Sequence, residues 1–186
     1  MNKDEFMAKY QMREIKEDDG FAIDIMYSSE NNFTKRKIYS KPICMLRSGT
    51  VKKLIDVNCE LKDYGFKLKL WDTFRPLKYQ EMLWKIIPNE KFVANPNKNK
   101  CNHCKGMAVD VTLSTLDNKD VSMPTEFDHF GIESYRNYYS NLDVLIQKNV
   151  SILENIMTKY KFIPNQYEWW HFDDCVEYEI IREMYD

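Results

Sequence analysis

The spacing of hydrophobic positions changes period several times along the chain, and each change marks an element. Over residues 21–27 (FAIDIMY), Phe21, Ile23 and Ile25 alternate with other residues, the period of a half-buried strand, and a polar turn over 28–32 follows. Val51, Leu54, Ile55, Leu61 and Tyr64 recur at near-helical spacing over 51–64, and Gly65 stands where a glycine stops a helix. Residues 67–74 (KLKLWDTF) alternate again, with Leu68 and Leu70 on one face of a strand that ends in Arg75-Pro76. A second helix is expected over 77–87, closed by Pro88, and the Asn/Lys-rich stretch 89–102 reads as a loop. In 107–113 (MAVDVTL), Val109, Val111 and Leu113 share one face of a strand, which leaves Ala108, Asp110 and Thr112 on the other. The longest helix is expected over 142–160, with Leu142, Leu145, Ile146, Leu153, Ile156, Met157 and Tyr160 as its buried stripe. Residues 167–172 (YEWWHF) are strand-like, and the tail 175–185 is compatible with a helix. Strands far apart in sequence and segregated from helices suggest an α+β fold, a central antiparallel sheet with helices packed to one side.

Composition narrows this picture. The chain has 186 residues, 44% hydrophobic and 14% aromatic, enough for one well-filled core, so 1–186 is expected to be a single domain. A net charge of -2 with both signs interspersed leaves no footprint for nucleic acid and no basic block for a membrane surface. No apolar run approaches the ~20 residues that a membrane span requires. The first twenty residues are charged throughout and lack the apolar stretch of a signal peptide, and the cysteines (Cys44, Cys59, Cys101, Cys104, Cys175) are odd in number. Reduced thiols and a cytoplasmic location are therefore expected. With five glycines in all, a Gly-rich phosphate loop is not expected either.

Histidine is scarce, at positions 103, 129 and 171 only. His103 and Asp110 are joined through Gly106 (HCKGMAVD), which lets the backbone turn before Asp110 projects from the polar face of its strand. A carboxylate between Val109 and Val111 needs a partner, because an unpaired charge beside a core is costly. Composition leaves two partners open, a metal ion or an ordinary Lys/Arg ion pair. His171, among aromatic residues, reads by itself as a core histidine, and Glu168 as an exposed strand charge. Cys101 and Cys104 form a C-x-x-C, half of a structural zinc site, but no second pair exists to complete it.

Three blocks together resemble the D-alanyl-D-alanine dipeptidase family of zinc peptidases, which are related to zinc D,D-carboxypeptidases. WDTFRP at 71–76 is similar to the family's D-x-[YF]-R-P, CNHCKGMAVDVTL at 101–113 to its S-x-H-S-x-G-x-A-[IV]-D-[LV]-T-L, and EWWHF at 168–172 to its E-W-W-H. YSSENNF at 27–33 and VSMPTEFDHF at 121–130 are weaker matches in the same order. The resemblance implies a hedgehog-like zinc D,D-peptidase fold and one Zn2+ held by His103, Asp110 and His171. It also implies Glu168 as the general base for a metal-activated water, Arg75 as the group that stabilises the oxyanion, and Asp128 and Tyr27 as substrate-binding residues. The implied reaction is hydrolysis of the small dipeptide D-Ala-D-Ala to two D-alanines. A carboxypeptidase or endopeptidase acting on longer wall peptides, or a non-catalytic zinc-bearing domain, would be the alternatives.

The chain departs from the family where Cys101 and Cys104 replace serines. Cys101 takes the place of a hydroxyl that could bind substrate, and a thiol donates hydrogen bonds more weakly. His129 matches no ligand and reads as a surface or pocket-rim residue. One geometric problem remains: a spacing of three puts Glu168 and His171 on opposite faces of a regular strand. Glu168 is therefore expected before the strand or at a bulge.

Overall fold

The computed structural model describes residues 1–185. The helices are α1 (Lys3–Tyr10), α2 (Ser48–Leu61), α3 (Leu77–Ile86) and α4 (Val144–Lys159), and the strands are β1 (Met12–Glu14), β2 (Ala22–Ile23), β3 (Met45–Arg47), β4 (Phe66–Asp72), β5 (Ala108–Thr115), β6 (Phe162–Pro164) and β7 (His171–Asp174). Five strands form one sheet in the order β2-β4-β5-β7-β6, while β1 and β3 make a separate antiparallel pair. Three of the sheet's four pairings are antiparallel, and the edge pairing of β2 with β4 is parallel. The fold is thus α+β, with one parallel edge that alternation alone did not reveal.

The long elements form where periodicity is strongest. α2 buries Val51, Leu54 and Leu61, and its polypeptide passes through a short 3-10 turn (Lys62–Tyr64) to Gly65, which terminates it at φ 78. That left-handed value is strained for a side chain and free for glycine. α4 starts at Asp143, whose carboxylate caps the Leu145 N–H, and buries Val150, Leu153, Ile156 and Met157. Leu145, assigned to the stripe by spacing, is exposed in the first turn of α4.

Strand alternation sorts the two sheet faces. Leu68 and Leu70 of β4 lie opposite Leu113 and Val111 of β5, and Val109 lies opposite Phe172 of β7. These residues belong to one core with the buried faces of α2 and α4. Asp174 marks the same face, since it accepts from Thr50 Oγ1 of α2 at 2.7 Å and pairs with Lys53. Asp110, His171 and Asp173, being out of phase with those residues, point to the opposite face. α3 does not join α2 and α4: its Gln80 accepts from Arg75 on the functional side of the sheet.

Short elements escaped the sequence. The alternation over 21–27 yields only the two-residue β2, because Met26–Ser28 turns back as a 3-10 helix. β7 begins at His171 rather than 167, so the YEWWHF segment is mostly turn. Residues 175–185 contain no helix and run as irregular chain, anchored where Ile181 N–H donates to Cys104 O and Ile181 packs fully buried. Among the described residues no helix is long and apolar enough to cross a membrane.

One buried side chain couples three elements. Asn58 of α2 accepts from Leu68 N–H of β4 at 2.7 Å and donates to Gly20 O, just before β2, at 2.9 Å. Replacing Asn58 with alanine leaves a buried N–H and a carbonyl without partners. The Asn58→Ala variant should lose about 1–3 kcal/mol of stability in urea denaturation; a midpoint equal to that of the parent protein would contradict this coupling.

Candidate active site

Each side chain of the site is aimed by a specific local device. β5 carries Asp110, and its register partner on β7 is His171, so the two lie side by side on one face. Between Leu70 and Asp72 the β4–β5 register slips by one residue. That bulge reverses the alternation and turns Asp72 opposite Asp110, away from the face of Leu70. Asp72 is fully buried and accepts from Arg75 Nε at 3.0 Å and Nη2 at 2.7 Å, while Tyr39 Oη donates to its other oxygen at 2.8 Å. Gln80 accepts from Arg75 Nη1 at 2.8 Å. The guanidinium is thereby fixed, and it stacks over the ring of Tyr27 with 4.9 Å from Cζ to the centroid.

His103 sits in a 3-10 turn (His103–Lys105) ended by Gly106 at φ 73, whose N–H donates to the His103 carbonyl. Position 106 needs glycine for its dihedral, and a Cβ there would also displace the flexible end of Met12, 2.9 Å away at Cε. His103 Nδ1–H donates to Thr73 O at 2.7 Å, which leaves Nε2 free to face Asp110 Oδ2 at 3.3 Å. His171 has the reverse arrangement. Its Nε2–H donates to Asp173 Oδ1 at 3.1 Å, and its Nδ1 lies 2.9 Å from Asp110 Oδ1 and 3.2 Å from His103 Nε2.

One donor atom from each of His103, Asp110 and His171 falls within 4.8 Å of the other two. Two imidazole lone pairs and a carboxylate converging on one point, each imidazole locked through its second nitrogen, form a donor set suited to a divalent metal ion with an open position. Glu168 Oε2 stands 3.8 Å from His171 Nδ1, and its side chain is 20% exposed. As the spacing required, Glu168 precedes β7: residues 168–170 turn, with His171 N–H donating to the Glu168 carbonyl, before pairing with β5 begins. Trp169 and Trp170 are buried beside it, and Trp169 Nε1 donates to Thr125 Oγ1 at 2.9 Å.

These groups share a cavity of about 170 Å³ with Tyr27, Asp128 and Cys101. Asp128, in the left-handed region at φ 59, accepts from Tyr27 Oη at 3.2 Å and from Phe33 N–H at 3.3 Å. His129 is exposed and pairs with Glu133 outside the cavity. All eight residues singled out from the sequence therefore meet in one place.

The cysteines need correction. Cys101 and Cys104 are joined by a disulfide, whereas Cys44, Cys59 and Cys175 are free. The tight turn over 101–106 brings the two Cα atoms to 5.2 Å, inside the range a disulfide spans. Cys101 lines the cavity without an S–H to donate.

Asp72, Gln80 and Asp173 received no role from the sequence. Two had a readable signal: Asp72 is part of WDTFRP, and Asp173 is two residues beyond His171, on the same face of a strand.

Charge in the site is coupled. Burial would raise the Asp110 carboxyl, but His103 and then His171 overcome this and hold it well below the usual carboxylate range. Burial would lower the His171 imidazole, yet Asp173 and Asp110 outweigh it and hold it well above its ordinary 6.5. Burial pushes Glu168 up to about 7, against the opposing pull of His171. Burial, reinforced by Asp110, also holds Asp128 well above the ordinary carboxylate value.

A sheet that gathers two imidazoles, ionisable carboxylates and a fixed guanidinium around a small cavity defines a hydrolytic enzyme in architecture. A family model described as D-Ala-D-Ala dipeptidase matches residues 8–184, and the chain belongs to that family of peptidases. It is 27% identical to the D-alanyl-D-alanine dipeptidase of Escherichia coli (strain K12), over 88% of this chain and 84% of that protein. It is 26% identical to the D-alanyl-D-alanine dipeptidase of Enterococcus faecium, over 82% of this chain and 85% of that one.

Metal binding should compete with protons. Because Asp173 and Asp110 raise the His171 imidazole, a metal ion at Nδ1 competes with a proton there. Affinity is therefore highest above the raised value and falls as pH drops through it, by up to about tenfold per pH unit for each proton displaced. Titration calorimetry with zinc between pH 6 and 8 should show this rise together with proton release. Asp173→Ala, which frees the Nε2–H, should weaken binding about 10–100-fold. Affinity flat with pH and unaffected by that substitution would contradict the ligand role of His171.

Proposed function

We propose that the chain is a single zinc-dependent dipeptidase domain that hydrolyses D-Ala-D-Ala to two D-alanines. The observation that carries this reading is the convergence of His103 Nε2, Asp110 and His171 Nδ1 within 4.8 Å, with Glu168 alongside, in a cavity that also holds Arg75 and Asp128. The proposed ligands are those three side chains. When bound there, zinc would supply Lewis acidity, polarising the scissile carbonyl and making water more acidic.

The remaining work falls to side chains of the chain itself. Glu168, ionised and within reach of a water in front of the cluster, takes a proton as the water attacks and delivers it to the leaving amine. Its raised pKa makes it a good acceptor near neutral pH, because its ordinary value would make it a weaker base. Arg75 is held by Asp72 and Gln80 before substrate arrives, so its charge meets the developing oxyanion without reorganising. Asp128 takes the free ammonium. Burial raises this carboxyl, so an arriving cation is the partner that favours its ionised form, which suits a substrate bearing an amino terminus. Tyr27 ties the two ends together, with its ring under Arg75 and its hydroxyl on Asp128.

Size supports a free dipeptide. About 170 Å³ is below the roughly 300–1,000 Å³ of sites for drug-sized ligands. A second reading rests on one observation: a groove of about 1100 Å³ lined by residues such as Asn31, Lys35, Trp71 and Met123 meets the cavity at Asp128. Through it a longer wall peptide could reach the same cluster.

Purified protein with zinc should release alanine from D-Ala-D-Ala and not from L-Ala-L-Ala, and more slowly from a wall pentapeptide. Glu168→Ala should lower kcat by about 10²–10⁴-fold, and Arg75→Ala by about 10²–10³-fold. Release from none of the three substrates, or a Glu168→Ala variant as active as its parent, would end this reading; preference for the pentapeptide would favour the second.

A further inference from the structure

Glu168 and His171 can serve one centre only because the chain between them leaves strand geometry, and a turn of this kind forfeits the ladder bonds that would hold it. Carbonyls freed in this way must find other donors. Here one side chain supplies several, alongside backbone bonds from His171 N–H to Glu168 O and from Val111 N–H to Trp170 O. Arg136, in the 3-10 segment Arg136–Asn141, donates from Nε to Asn165 O at 2.6 Å and from Nη2 to Trp169 O at 3.0 Å, His171 O at 3.1 Å and Glu168 O at 3.3 Å. Its third nitrogen, Nη1, donates to Glu154 Oε2 of α4 at 2.7 Å and to Tyr139 Oη at 3.1 Å. The guanidinium lies 4.6 Å over the Phe172 ring and its side chain is 11% exposed. Backbone bonds flank the clamp, from Arg136 N–H to Gln166 O and from Trp169 N–H to Ser134 O.

We propose that Arg136 is a positioning residue for catalysis: one planar cation, braced on helix α4 through Glu154, fixes the turn that presents Glu168 and His171 to the same point. This rests on the reading above in which those two residues act together. Lysine cannot replace it, since an ammonium is a point donor without the planar fork that reaches four carbonyls while keeping a carboxylate. Arg136 does not itself line the cavity; it holds Asn165, Glu168 and His171 through their backbone carbonyls. Its loss should therefore disturb the alignment of base and ligand and leave the Asp128 end of the site intact. That asymmetry separates positioning from general support of the fold.

The test uses the full-length zinc enzyme and its Arg136→Ala, Arg136→Lys and Glu154→Gln variants. In folded Arg136→Ala, kcat for D-Ala-D-Ala should fall about a hundredfold with KM little changed, the penalty expected for misplacement on the scale of 1 Å. Ethylguanidinium added to Arg136→Ala should restore much of the lost kcat, and Arg136→Lys should be impaired without being rescued. Glu154→Gln, which loosens the brace alone and lies outside the turn, should show a smaller kcat loss and keeps the question open to decision if both Arg136 variants fail to fold. Cobalt(II) titration gives a readout independent of turnover: the visible bands of the bound ion should shift in Arg136→Ala and return with ethylguanidinium. If the parent enzyme cleaves no dipeptide, the proposed function fails, and the cobalt bands still judge the clamp. Folded variants with parental kcat and parental cobalt bands, or a Glu154→Gln enzyme indistinguishable from the parent, would overturn it.

Discussion

An ionised carboxylate buried in the middle of a sheet governs the organisation of this molecule. Asp110 is 3% exposed, flanked in sequence by two valines that face the core, and a charge so placed must be met by cationic or metal partners. The partners are arranged from both neighbouring strands. β7 brings His171 as the cross-strand partner, and the loop before β5 brings His103 back over the same face. From β4 the bulge brings Asp72, which imports the guanidinium of Arg75 to within 3.9 Å of Asp110. The same charges that make Asp110 tolerable inside the protein form the proposed hydrolytic centre.

A second layer of bonds decides which atoms are available. His103 donates through Nδ1 to a backbone carbonyl and His171 through Nε2 to Asp173, so the two rings present opposite nitrogens to the shared point. Without these bonds either ring could flip or change tautomer. Among the described residues no buried side-chain nitrogen or oxygen lacks a partner, so the site is satisfied internally although it concentrates charge. The cavity is small, about 170 Å³, and Asp128 lines it together with Arg75 and Tyr27.

Much of this was legible in the sequence, and the failures have physical causes. Helices α2 and α4 announced themselves through 3.6-residue spacing, and β5 through strict alternation, because each buries one continuous face. The three-residue β1, β3 and β6 and the parallel edge were not readable, and β2 was read too long: so few residues carry no period, and their pairing is set by tertiary contacts. Helix α1 is missing from the reading for another reason, since Phe6 is its one buried residue and its capping box at Asn2 is the clearer signal. His171 among its aromatic neighbours looked like core, and only the ordered resemblance of three blocks to a peptidase family pointed to a ligand. The turn before β7 could be inferred from a contradiction in spacing, although the arginine that holds it lies 32 residues upstream of Glu168, where no local pattern points to it. The disulfide was missed because an odd cysteine count was read for the chain as a whole, while the bond depends on one local turn.

The central claim is that Asp110 and two oppositely oriented imidazoles form one metal centre, and its most direct test is the location of the ion. Crystals of the zinc-loaded protein, measured on both sides of the zinc absorption edge, should give one strong anomalous peak per chain. That peak should lie about 2.0–2.2 Å from His103 Nε2, His171 Nδ1 and an Asp110 oxygen. A peak at His129 or the free cysteines, or a centre reached through His103 Nδ1 or His171 Nε2, would contradict the account.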